Sequence, residues 1–69
     1  MAFEDNRYVG AKTDFWKAIQ IDPNNAEAYY GRGTAKYKLD DKNGACQDWR
    51  KAGELGYEKA YETIKKYCK

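Results

Sequence analysis

Cys46 and Cys68 are the residues of this chain best suited to covalent chemistry, and they are its only cysteines. With no second pair, a four-ligand metal site has nothing to draw on. No histidine occurs anywhere, which removes the usual general base, the nucleophilic triads and the common zinc geometries together. Asp22-Pro23-Asn24 begins like a calcium loop, but Ala26 occupies the next ligand position and no glycine follows. Gly31-Arg32-Gly33 is too short for a dinucleotide fingerprint, and it falls inside a helical pattern rather than after a strand. Carboxylates are plentiful, yet none is placed in an identifiable apolar pocket that would raise its pKa. The expectation is a non-enzyme with no cofactor and no metal. Surface recognition is what remains.

Charge narrows the partners. Thirteen basic residues against eleven acidic leave a net +2, spread along the chain with no block of one sign. A nucleic-acid partner requires a basic patch, so none is expected. The start, Met1-Ala2-Phe3-Glu4-Asp5, lacks the apolar run of a signal peptide, and no stretch could span a bilayer. No membrane association is expected, and localisation stays open. Sixty-nine residues make one small domain near the lower limit for folding unaided. Leu, Ile, Val and Phe number only eight, which alone would suggest disorder. Seven Tyr and two Trp supply the missing area, because a large ring buries about as much as two aliphatic side chains. The core should be thin and aromatic.

Helices must position these rings. Tyr8, Ala11, Phe15 and Ala18, with Ile19, recur at spacings of three and four, which predicts a first helix over about 6–20. Asp22-Pro23 ends it, and Asn24 or Asn25 caps the next. Ala26, Tyr29, Tyr30, Gly33 and Tyr37 form the stripe of a second helix, and Ala45, Trp49 and Ala52 that of a third. Asp40-Asp41 makes the turn between them, with Asp40 left-handed and Asp41 as N-cap. Leu55-Gly56 stops the third helix, Gly56 being suited to a left-handed cap. A fourth helix follows over about 57–68, with Tyr57, Ala60, Tyr61, Ile64, Tyr67 and Cys68 on one side. Gly31 and Gly33 lie inside the second helix, where each costs roughly 1 kcal/mol relative to Ala. Gly31 has no evident reason to be there.

An internal repeat runs through this pattern. Gly10-Ala11 matches Gly44-Ala45, Asp14-Phe15 matches Asp48-Trp49, and Lys17-Ala18 matches Lys51-Ala52, every pair offset by 34. Small and aromatic residues at set places, in a helix-turn-helix of that period, strongly resemble the tetratricopeptide repeat. The resemblance covers about Tyr8 to Cys68: a half-repeat helix (6–20), one complete repeat (25–55) and a capping helix (57–68). It implies an all-α fold of about four helices in antiparallel hairpins, a fragment of an α-solenoid. Gly33 then falls where family backbones approach closely, whereas Asp40 replaces the usual glycine and Tyr57 the usual proline.

The resemblance also implies a task. The first helix of each repeat lines a concave groove that holds an extended peptide or a partner helix. By position, the groove-facing residues would be Glu27, Tyr30, Gly31, Thr34, Tyr37 and Lys38. Family members that grip a C-terminal carboxylate use Lys, Arg and Asn at such positions. Glu27, Tyr30, Gly31 and Thr34 stand here instead, so that clamp is absent. Tyrosine offers apolar area and a hydroxyl at low entropic cost, although the same rings could simply pack within the stack. The expected function is a protein–protein interaction or scaffolding module. The alternative is a structural or engineered repeat fragment whose main activity is self-association. Phe3, Tyr8 and Phe15 would line the associating face of a homo-oligomer.

Symmetry about a turn could bring the two cysteines together. If the third and fourth helices turn near Tyr57, positions 46 and 68 are equidistant from the turn, as are Gly53 and Tyr61. The two sulfurs could meet at one level, where a bond forms if the Cα atoms come within about 7 Å. Two separate buried thiols are the alternative, and compartment decides between them.

Overall fold

The computed structural model describes residues 2–68, with side chains for residues 7–68. Four helices follow one another: α1 (Ala2–Ile21), α2 (Ala26–Lys38), α3 (Lys42–Glu54) and α4 (Lys59–Tyr67). Among the described residues there is no strand. The first helix begins earlier than the periodicity predicts, because nothing in Ala2-Phe3-Glu4-Asp5 breaks a helix and acidic residues suit its first turns. The fourth is shorter than 57–68. Gly56, at φ 104°, keeps Tyr57 in the turn, and Cys68 serves as the C-cap rather than a helical residue.

The turns follow the capping chemistry. Asn25 is the N-cap of α2, its side-chain oxygen accepting the Ala28 N–H at 3.1 Å. Asp41 does the same for α3, accepting the Gly44 N–H at 3.0 Å. Between them Asp40 adopts φ 69°, the left-handed geometry that its short polar side chain tolerates. Each helix packs chiefly on its neighbour in the chain, α1 on α2, α2 on α3 and α3 on α4. The result is a slab of 33 × 31 × 15 Å.

Its interior is built from small residues around a single large ring. Ala28, Ala35, Ala45, Ala52 and Ala60 are buried, together with Ile19 and Trp49, while the tyrosines are half-buried or exposed. Close helix approach is possible because glycines face rings. A Cβ at Gly33 would stand 2.8 Å from the Trp49 indole and 3.0 Å from the Ala45 carbonyl oxygen. One at Gly53 would stand 2.7 Å from the Tyr61 ring. Gly31, which the sequence left unexplained, lies under Phe15, whose ring a Cβ there would hit.

Among the described residues one charge is buried. Asp48, 5% exposed, accepts hydrogen bonds from Arg32 Nε at 2.8 Å and Nη2 at 2.9 Å. Lys36 Nζ stands 3.2 Å from the same carboxylate. The hydrogen bond to Asp48 raises the Arg32 pKa, with partial desolvation pulling the other way. A two-pronged pair of this kind fixes the register of α2 against α3, since a shift by one residue would leave the carboxylate buried without partners.

Two glycines separate packing from propensity. Nothing lies within 4 Å of a Cβ at Gly10, so Gly10→Ala should stabilise the fold by up to ~1 kcal/mol through helix propensity alone. Gly33→Ala gains the same propensity but drives a methyl into Trp49 and backbone, for a net loss of ~1–2 kcal/mol. Urea unfolding of both variants checks the opposite signs.

Candidate functional site

A hollow of about 450 Å³ opens between α2 and α4, floored by α3. From α2 come Tyr30, Thr34, Tyr37 and Lys38, spread over two turns of one face, and Trp49 of α3 closes the bottom. Lys59, Glu62, Thr63, Lys66 and Tyr67 form the opposite wall on α4. Of the six positions that repeat geometry assigned to a groove, four therefore share one hollow. Glu27 and Gly31 do not line it: Glu27 is exposed and Gly31 is covered by Phe15.

Aromatic rings form the walls. Tyr37 lies 5.6 Å from Trp49 and 5.1 Å from Tyr67, and Tyr67 lies 5.9 Å from Trp49, all tilted rather than stacked flat. Tyr30 leans on Tyr57 at 4.9 Å and faces Trp49 at 6.4 Å. Such tilted pairs satisfy the ring quadrupoles and hold each ring in place. Tyr30 and Tyr37 thus both pack in the stack and border the hollow. Both are half-buried, one side against the stack and one side facing the hollow.

Polar groups tie the two walls together. The Tyr30 and Thr63 hydroxyls are 2.8 Å apart, linking α2 directly to α4. Thr34 donates to the Tyr30 carbonyl oxygen at 3.1 Å and accepts from the Trp49 indole N–H at 3.4 Å. Lys42 Nζ sits over the Tyr37 ring, 5.9 Å from its centroid. The charged groups lining the hollow are Lys38, Lys59 and Lys66 against Glu62 alone, so its rim is positive. Trp49 and the five α4 residues that line the hollow were not foreseen there. A signal did exist, because α4 reads as the first helix of a further repeat, and groove positions could have been carried onto it as they were onto α2.

Residues 1–40, more than half of the chain, match the TPR repeat family. The chain belongs to the tetratricopeptide repeat family. No curated protein and no solved structure matches the sequence. The family match ends within the α2–α3 turn, and the 34-residue offset carries the same pattern onto α3. TPR repeats generally mediate protein–protein interaction and are typically non-catalytic scaffolds. Among the described residues, no helix is long and apolar enough to cross a membrane, and no group of three His, Cys, Asp or Glu could hold a metal ion.

The remaining predicted residues fall elsewhere. Cys46, near the start of α3, and Cys68, the C-cap of α4, stand at disulfide distance with Cα atoms 6.0 Å apart. The Phe3 side chain lies outside the described residues. Tyr8 is half-buried, and so is Phe15, whose ring rests on Gly31. Among its described side chains, α1 exposes Val9 at 47% and Trp16 at 50%, seven residues apart, and Ile21 at its end at 86%. Reading one stripe on α1 hid this second one.

The Tyr30–Thr63 contact gives a direct measure of how firmly the walls are joined. A double-mutant cycle of Tyr30→Phe and Thr63→Val should return a coupling of about 1 kcal/mol in urea unfolding. A coupling near zero would mean that the two hydroxyls do not meet in solution.

Proposed function

We propose that this TPR module binds an extended acidic peptide carrying an apolar or aromatic side chain, held in the hollow between α2 and α4. The observation that carries the reading is the hollow itself, an aromatic floor of Trp49, Tyr37 and Tyr67 inside a rim of Lys38, Lys59 and Lys66. The rings offer area and shape to one anchoring side chain of the peptide, while the lysines offer charge to its acidic neighbours. The carboxylate clamp of other family members is not reproduced, because the lysines come from the end of α2 and from α4 rather than from positions 27, 30, 31 and 34. A module of this size buries little area, so the dissociation constant should be about micromolar or weaker.

The test uses fluorescence anisotropy with two labelled peptides, one acidic with a single central tyrosine and one with its acids replaced by lysine. The acidic peptide should bind more tightly, and binding should weaken as salt rises. Tyr37→Ala, and separately Lys38→Glu combined with Lys66→Glu, should each weaken it by about tenfold or more. Equal binding of both peptides, or affinity unchanged in both variants, would exclude the groove.

A second reading, self-association, is favoured by the exposed Val9 and Trp16 on α1. Phe15→Asp is a poor probe of it, since Phe15 packs on Gly31 within the chain. Trp16→Asp leaves that packing intact and should convert an oligomer to monomer by light scattering. A wild-type chain already monomeric at high concentration removes this reading.

A further inference from the structure

The wall that α4 lends to the hollow is fastened at its far end by a pair of sulfurs. We propose that thiol–disulfide exchange at Cys46 and Cys68 gates the hollow between α2 and α4, regulating the peptide site proposed above, on which this inference rests.

α4 is nine residues long, too short to hold its shape without anchors. Its first half has them: Ala60 is fully buried, and the Tyr61 ring covers Gly53. Its second half has one part-buried apolar anchor, Ile64, against the core, and is otherwise open. Tyr67, the ring that leans on Tyr37 and Trp49, is itself 47% exposed, and Lys65 and Lys66 are exposed as well. The next residue is Cys68, whose N–H donates to the Ile64 carbonyl oxygen at 2.7 Å and whose sulfur meets Cys46 near the start of α3. The bridge therefore fixes the residue adjoining Tyr67 and Lys66, the two groups that complete the aromatic floor and the basic rim. On the α2 side the ties are one hydroxyl contact, Tyr30 to Thr63, and the Tyr67 ring against Tyr37. Severing the bridge frees the last turn of α4 while the α2–α3 core keeps all its buried groups.

Both cysteines are only half-buried, so a reductant can reach sulfur. The agent is a dithiol. Its thiolate attacks one Sγ, the S–S bond breaks, and the other Sγ leaves as a thiolate that takes up a proton. The second thiol of the reductant then displaces the mixed disulfide, and the remaining protein sulfur is protonated in turn. Two electrons and two protons have passed to Cys46 and Cys68, and the dithiol has become a disulfide. An oxidised dithiol runs the exchange backwards and closes the wall.

Hydrogen exchange on the full chain, with and without dithiothreitol, tests the gate. Reduction should speed amide exchange in the second half of α4 by at least about tenfold while α2 and α3 keep their protection. In a Trp16→Phe background Trp49 is the sole indole, and its quenching by acrylamide should rise with reduction as Tyr67 moves away. The double variant C46S/C68S should show the open pattern without reductant and ignore dithiothreitol. Unchanged exchange in α4 overturns the proposal, as do two freely alkylated thiols in the air-oxidised protein. Loss of protection throughout α2 and α3, on reduction or in the double variant, overturns it too, because the bridge would then staple the whole fold. None of these readouts uses a peptide. Failure to find a peptide ligand would therefore sink the groove reading while leaving the exchange result intact.

Discussion

The indole of Trp49 occupies the space that any side chain at position 33 would need, and the geometry of the rest follows from that exclusion. A bare Gly33 lets α2 and α3 approach until the indole is 2% exposed. Its edges then become the surface against which Tyr30, Tyr37 and Tyr67 lean. The floor of the hollow and the core of the domain are thus the same atoms. A ring that lines the hollow also contributes about 0.5–1.5 kcal/mol per aromatic contact to folding, so the hollow cannot be reshaped without touching the fold.

Asp48 supplies direction where apolar packing supplies only attraction. Alanines and rings would tolerate some sliding of one helix along another, but a buried carboxylate gripped by Arg32 and Lys36 tolerates none. Its counterpart one period earlier, Asp14, is exposed on α1. The same residue at the same repeat position is therefore an organising charge in one helix and a solvated one in the other.

How much of this was legible follows from how far apart the interacting residues stand in the chain. Caps and turns are local, so Asn25, Asp40, Asp41 and Gly56 declare themselves. The 34-residue offset made the hairpin architecture readable without any side-chain geometry. Symmetry about a turn brought Cys46 and Cys68 to one level, and Gly53 to Tyr61, because an antiparallel hairpin fixes register by counting. Contacts that cross between hairpins obey no such count. Tyr30 to Thr63, which joins α2 to α4, is of this kind, whereas Phe15 with Gly31 and Arg32 with Asp48 are equidistant from Pro23 and Asp40 and could have been counted in the same way. Trp16 and Val9 were missed for a simpler reason, since α1 carries apolar residues on two flanks and periodicity singles out one.

The slab is only 15 Å through its thinnest dimension, and its helices rest mainly on the neighbours they follow in the chain. Chains whose contacts join residues close in sequence pay little loop entropy before those contacts form, and they fold quickly for that reason. The α2–α3 hairpin, holding Trp49, Gly33 and the Asp48 pair, contains enough to condense first, and α1 and α4 can then zip onto its two edges. The reverse holds for breakdown. An architecture assembled edge by edge can also fray edge by edge, so a protease meeting this domain would trim the flanking helices while the central hairpin still stood.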